Sequence, residues 1–485
     1  MTTAPSQFFL QPSLDDEDDD DNNGDDGDIE LNTSASRSSG DVDDFLRKTR
    51  AIARDRLRTR IKLLHREISK PLGEIICGHV LHRLPASSLL RLRAVARSWA
   101  GVVASPIFAH TQSHTYRSIS GVFFRSSSVT STAYAPFPPA AAHSLPYPGL
   151  SFLPAYPVVV LSSSNGLLLC HAPLTGTFFI CNPVTAAWTA IPDPPRDPIN
   201  DPAAVLINLP GVYNFRPDFT VVMVFKVPFI GSDIYGFQIF SSTAGGWWIS
   251  NELCMERPLP DSGVAAGGVA YWLTSTSSMV RYDPAADKVS YAFLPMLHAA
   301  RAERSIGEMG CSGRLYCVIV TPEALQVHRF LRESNEWALV ESLDVIDTGR
   351  SIFEVVDQVD EDEEQEEKEG ETWEVKADED VEQEEKEGEA WEVKAGGQQV
   401  FKKQPWPLTF QGGDMEILLL VAGKVVSINL ASKRVRVVAT TGGFKYVPYT
   451  STLAAVLDVT ATTSTSSDGR SKEATSTDRA TGGEE

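Results

Sequence analysis

Cysteine is sparse in this chain of 485 residues. Cys77, Cys170, Cys181, Cys254, Cys311 and Cys317 are scattered with no Cys-x-x-Cys pair, which argues against a disulfide framework and predicts buried, reduced thiols. No apolar run approaches the roughly 18 residues of a membrane helix. The first residues, MTTAPSQFFLQPSLDDEDD, lack the basic start and apolar core of a signal peptide, so the expected location is intracellular, nucleus and/or cytoplasm. The chain also lacks Gly-x-x-x-x-Gly-Lys-Ser/Thr, Gly-x-Ser-x-Gly and His-Glu-x-x-His, the phosphate cradle, nucleophile turn and zinc helix of common enzymes. No catalytic residue and no cofactor is expected.

Negative charge, by contrast, is abundant and concentrated. The net charge is −21; residues 15–30 carry eleven acidic groups and no basic one, and residues 354–392 carry twenty-one against three. Setting aside these runs, at −11 and −18, leaves the remainder at about +8. Such self-repelling tracts cannot bury enough apolar surface to fold, so both are expected to be disordered. Nor can they fix the carboxylate spacing that acid–base catalysis needs. The second run is a tandem copy: EQEEKEGETWEVKA (364–377) recurs as EQEEKEGEAWEVKA (382–395). Upstream, residues 47–70 hold ten Lys/Arg against Asp55 and Glu67, with Leu57, Ile61, Leu64 and Ile68 along one side of a predicted helix. An import signal and a solvated helix face are both open readings of this stretch. Nucleic-acid binding ranks lower, because no aromatic platform accompanies the charge.

The most informative segment spans residues 72–108. Ile76, Val80 and Leu84 recur at helical spacing, Leu84-Pro85 stops that helix, and Ser87-Ser88 can cap the next. Leu92, Val95, Trp99 and Val102 form a second apolar stripe broken by Arg91, Arg93 and Arg97, and Ser105-Pro106 ends the unit. About 40 residues are too few for a self-sufficient core, so this piece should lean on a partner. Through Arg83-Leu84-Pro85, Ser88-Leu89-Leu90-Arg91, Val95, Arg97, Trp99, Ser105-Pro106 and Phe108 it resembles an F-box. It departs from that pattern at Leu72-Gly73 for the opening Leu-Pro, at His79 for an acidic residue, and at Ala96 for a cysteine. The resemblance implies that Leu72, Ile76, Leu81, Leu84, Pro85, Leu89, Leu90, Val95 and Trp99 present apolar surface or supporting core to a Skp-type adaptor.

Beyond residue 157 short β segments repeat. A turn-initiating residue precedes by six positions the apolar residue that opens the next strand: Asn182 and Trp188, Asp283 and Val289, Asn429 and Val435, with Ser241–Trp247 and 331–337 as weaker copies. Asn and Asp side chains satisfy a tight turn, and the apolar residue returns to the packed face. Gly-led apolar strands come before several turns, at Asn165-Gly166, Gly268, Gly313 and Gly423. Anchor spacings of 59, 42, 48 and 98 become propeller-like once the acidic run is removed from the last. That run is therefore predicted to be a loop inserted between blades. Five anchors leave the blade number open, with further strands expected within residues 118–134 and after Val437.

Ser164-Asn165-Gly166-Leu167-Leu168, Cys181-Asn182-Pro183-Val184-Thr185, Gln238-Ile239-Phe240-Ser241-Ser242, Gly267-Gly268-Val269-Ala270-Tyr271-Trp272-Leu273 and Asn335-Glu336-Trp337 together resemble the F-box-associated domain of plant F-box proteins. The expected fold is α + β multidomain: a small helical F-box followed by an all-β propeller-like domain, with disordered acidic segments. The boundaries are 1–44 acidic, 45–70 basic helix, 71–115 F-box, 116–157 connection, 158–350 propeller-like, 351–404 duplicated insertion, 405–460 remaining strands and 461–485 tail. The resemblance implies a substrate receptor that joins a cullin-RING ubiquitin ligase through the adaptor and holds a target protein on its β domain. The alternative is a nuclear binding protein whose acidic runs recruit basic partners without a ligase.

Other candidates carry less. His79 and His82, near Cys77, and the pair His110 and His114, have ligand-like spacing but fit ordinary helix histidines better. Trp188, Trp247, Trp248, Trp272 and Trp337 read as blade core in preference to a ligand groove.

Overall fold

The computed structural model describes residues 51, 54–56, 58, 59, 76–126, 132–198, 201–209, 218–228, 233–295, 302–310, 313–321, 324–344, 391–393, 399–401, 405–412 and 415–459. The chain divides into two compact units, Met1–Lys70 and Pro71–Glu485. In the first, residues 51, 54–56, 58 and 59 are helical, in line with the basic stripe, and Thr59 Oγ1 donates to the Asp55 carbonyl at 3.0 Å. The acidic residues 15–30, Leu72 and most of the duplicated run lie outside the described residues.

The second unit is built on six antiparallel blades. Blade 2 is Val159–Ser164, Leu167–Ala172, Thr177–Asn182 and Ala187–Ile191; blade 3 is Ala204–Ile207, Thr220–Val227, Ile234–Ser241 and Gly246–Cys254. Blade 4 is Val264–Ala266, Val269–Leu273, Ser278–Asp283 and Lys288–Phe293; blade 5 is Glu303–Met309, Arg314–Val320, Ala324–Leu331 and Glu336–Asp344. Blade 6 is Trp406–Pro407, Glu416–Val421, Lys424–Asn429 and Arg434–Thr440. Blade 1 closes the ring with three strands: Gly443–Tyr449 innermost, then Gly121–Ser126 and Thr132–Pro136. The two regions expected to hide additional strands thus combine in one blade. Closure from both ends of the unit leaves no open inner edge to pair elsewhere.

All five sequence anchors are the turn between the third and fourth strands of a blade, with pairings Asn182↔Ala187, Ser241↔Gly246, Asp283↔Lys288, Leu331↔Glu336 and Asn429↔Arg434. Each has a left-handed residue four positions after the anchor: Ala186, Gly245, Asp287, Asn335 and Lys433, with φ between 47° and 65°. Anchor side chains accept from the turn backbone: Val184 N to Asn182 Oδ1 at 3.0 Å, Ala285 N to Asp283 Oδ1 at 3.0 Å, Ser432 N to Asn429 Oδ1 at 2.9 Å. The repeat is therefore a turn requirement, as its chemistry predicts. Inner hairpins instead turn through two left-handed residues, Asn165-Gly166 in blade 2 and Gly267-Gly268 in blade 4, the geometry that matches strand twist.

Apolar side chains pack between blades. Leu167 and Leu169 pack with Ala204, Leu206 and Phe240 of blade 3, whereas Leu168 and Cys170 face Phe123 of blade 1. Both faces of such a strand are covered, which explains the unbroken Leu-Leu-Leu-Cys run. Cys170, Cys181, Cys254 and Cys317 are free and buried; burial pushes the Cys317 thiol up to about 12.

The duplicated insertion joins blades 5 and 6, between Asp344 and Trp406. Its end is not wholly irregular: Trp391–Val393 pairs with Gln399–Phe401. After it, Phe410–Gly412 leaves blade 6 and pairs in parallel with Gly307–Met309 of blade 5. A Cβ on Gly307 would overlap the Phe410 carbonyl, so this approach needs glycine.

The helices precede blade 1. A π-helical turn (Ile76–Val80) and a 3₁₀ turn (Leu81–Arg83) lead to α1 (Ala86–Leu92), α2 (Arg97–Val103) and α3 (Pro106–Thr115). The F-box expected over 71–115 is, in its described part, packed onto the blades and not set apart from them. Leu81, Ala86, Leu89, Val103 and Phe108 share one core with Phe123, Tyr134, Leu168, Cys170 and Tyr449 of blades 1 and 2. The helices cover the blade that has only three strands, because their 40 residues bury too little on their own.

Candidate functional site

Two places on this body carry exposed or poised chemistry: the helical hook and the mouth of the central channel. Inner strands run in one direction around the ring. Their ends define a lower face, where the hook sits, and their starts an upper face.

At the lower face, Gln112 of α3 is fully buried. Its Nε2 donates to the Leu84 carbonyl at 2.9 Å, and its Oε1 accepts from Leu453 N at 2.8 Å. Ala86 N donates to the Ser451 carbonyl at 3.0 Å. The segment after the last strand is thereby clamped between hook and blades. Asn182 holds its other side, donating Nδ2 to the carbonyls of Thr452 at 3.0 Å and Ala454 at 2.8 Å.

The hook's predicted residues divide by face. Leu81, Pro85 and Leu89 are buried, with Leu89 at 0% exposure, while Ile76, Leu84 and Leu90 are half-buried against the same core. These form supporting core. Trp99 is half-buried, and Val95 is 68% exposed. Val80, expected on the first apolar stripe, and Ile107, which the pattern did not single out, are also exposed, at 45% and 65%. The hook's exposed large apolar residues are therefore Val80, Val95 and Ile107.

On the upper face, Lys445 of the blade 1 inner strand is the central feature. It occupies a bulge in the pairing between Phe123↔Val447 and Arg125↔Phe444, with φ 57°. A left-handed lysine costs of order 1 kcal/mol and turns its side chain out of the strand's alternation. Its Nζ is 3.1 Å from Asp261 Oδ1, ahead of blade 4, and also pairs with Asp201, ahead of blade 3. Blade 4 lies opposite blade 1, so this triad spans the channel at its upper end. Only about 40 Å³ remains in the space it borders with Arg125, Ser162 and Phe410.

Beside the triad opens a cavity of about 480 Å³, lined by Leu259, Arg304, Trp406, Leu408, Phe444 and Tyr446 among others. Trp406, Phe444 and Leu259 are 53%, 44% and 37% exposed. Arg304 lines this cavity, and its Nε is buried without a hydrogen-bond partner among the described residues. This pocket was not legible in the sequence. Trp406 stands between two prolines, outside the repeat, and Lys445 and Arg304 become neighbours only when blade 1 closes.

The tryptophans that were singled out lie elsewhere. Trp272 is fully buried between blades 3 and 4. Trp247 Nε1 donates to the Pro192 carbonyl at 2.8 Å and Trp337 Nε1 to that of Phe293 at 3.0 Å, each clipping its blade to the previous one. Trp188 and Trp248 are on outer strands, partly exposed. Among the described residues no three His, Cys, Asp or Glu are grouped to hold a metal. His110 and His114 stack on each other with ring centroids 6.4 Å apart, and burial lowers the His82 pKa. No helix among the described residues is long and apolar enough to cross a membrane.

Comparison with known proteins agrees with this architecture. A family model described as F-box protein At3g26010-like, beta-propeller, matches residues 149–357, which is under half of the chain. Solved structures that the chain matches include BBS1N in complex with ARL6DN (13% identity, 39% of this chain and 53% of that one, TM-score 0.23). Others are an Aleuria aurantia lectin mutant in complex with alpha-methyl-L-fucoside (9%, 59% and 78%, 0.31) and TolB from Acinetobacter baumannii (8%, 56% and 51%, 0.28). The chain spans about half the length of the BBS1N chain. No curated protein matches it. The part of the chain from residue 149 to 357 carries an F-box-protein-like β-propeller.

Proposed function

We propose that the chain is the substrate-recognition subunit of a Skp-cullin-F-box ubiquitin ligase, a non-catalytic receptor that docks a Skp-type adaptor through residues 76–108 and holds a target protein on the propeller. One observation carries this reading. The F-box-like segment buries Leu81 and Leu89 in the propeller core and leaves Val80, Val95 and Ile107 exposed. Exposed apolar side chains on a segment that resembles an F-box are the surface a helical partner would cover. Because Gln112 and the 451–453 segment clamp hook to propeller, a docked adaptor would set the orientation of any bound target. The receptor's contribution is proximity, raising the local concentration of target lysines near a charged conjugating enzyme.

The test is co-purification of the full chain with a Skp-type adaptor. The unaltered chain captures it, and the double variant Val95→Asp, Ile107→Asp loses capture while its melting temperature is kept. Absence of capture by the unaltered chain overturns the proposal. Leu89→Asp is a poor probe, because at 0% exposure it would unfold the shared core before it reported on docking.

A further inference from the structure

Given the receptor reading, on which this inference rests, we propose that the upper-face pocket binds an extended segment of a partner protein in which a carboxylate side chain adjoins a large apolar one. Charge supports the first half. Among the pocket's charged groups, Asp261 and Lys445 already satisfy each other. Arg304 is left, with its Nε buried and unpartnered. A half-buried guanidinium lining the pocket without an acceptor among the described residues favours a ligand that brings one, and a carboxylate matches its fork. Shape supports the second half. Trp406, Phe444 and Leu259 keep their apolar faces open around about 480 Å³, room for an aromatic or long aliphatic side chain. The pocket lies on the face away from the hook, so an occupant would not compete with an adaptor.

The test uses the full chain and amidated, acetylated peptides with a central Phe-Glu pair in a Gly/Ser frame, compared with Phe-Gln, Phe-Lys and Ala-Glu versions by fluorescence anisotropy. Phe-Glu binds about tenfold tighter than Phe-Gln or Ala-Glu, and Phe-Lys does not bind. Arg304→Gln abolishes the preference for Glu over Gln, and Trp406→Ala abolishes that for Phe over Ala. Neither variant changes adaptor capture, so a failed receptor reading and a failed pocket are separately visible. Equal binding of Glu and Gln peptides, or preferences unmoved by Arg304→Gln, overturns the proposal. Binding that emerges only after removal of residues 354–392 also overturns it, since the chain's own duplicated Trp-Glu pairs would then be the occupant.

Discussion

Lys445 Nζ lies 3.1 Å from Asp261 Oδ1, joining the blade that closes the ring to the blade facing it across the channel. Ordinary propeller contacts hold adjacent blades; this one spans the axis. It requires the left-handed backbone at Lys445, which a β-bulge supplies.

Replacing Lys445 separates strain from charge. Lys445→Ala removes the ion triad and keeps the left-handed φ, while Lys445→Gly removes both triad and strain. Lys445→Gly is expected to be the more stable variant by roughly 0.5–1 kcal/mol in urea unfolding, because glycine adopts this φ without steric penalty.

Gln112 tests the clamp on the lower face. Gln112→Ala strands the Leu84 carbonyl and Leu453 N–H in a buried site, an expected loss of about 2–4 kcal/mol. Hydrogen exchange should rise at 451–454 and in α1 in that variant, well above the change in blades 4 and 5. Uniform loss of protection in every blade would contradict the localised clamp.

Two anchors with the same local role should differ in weight. Asn429→Ala loses a turn contact at a half-buried site and should cost about 1 kcal/mol. Asn182→Ala loses its own turn contact, to Val184 N, and also leaves two carbonyls, Thr452 and Ala454, unpaired in a buried site, so about 2–4 kcal/mol is expected. Chemical denaturation of both variants under one condition measures the gap.

Acid should weaken the propeller around blades 1 and 2. His171 stacks on Phe178 at 4.4 Å; burial, and secondarily Arg125, lowers its pKa below the ordinary 6.5, and burial first, then Arg436, lowers that of His143. The unfolded chain therefore binds protons first. Stability is full above about 6.5 and is lost as pH falls from there toward the folded-state values. His171→Gln should flatten the decline in melting temperature between about pH 6.5 and 5.

Much of this architecture is local information. Asn182, Asp283 and Asn429 announce turns because their side chains satisfy turn backbone wherever the chain folds, and Asn165-Gly166 specifies a hairpin for the same reason. The F-box-like helices were legible through stop and stripe residues such as Leu84-Pro85 and Trp99. Which of them face inward was not, because exposure of Val95 and burial of Leu89 depend on the propeller beneath them.

Sequence by itself determined the five turns, several strands beside them, the hook's apolar stripes and the site of the acidic insertion, since each rests on interactions between residues near in the chain. Tertiary structure alone decided that residues 121–136 and 443–449 share a blade, that Gln112 meets Ser451 and Leu453, and that Lys445, Asp261, Arg304 and Trp406 surround one opening. Ring closure brings together groups more than a hundred residues apart, and no local periodicity encodes that pairing.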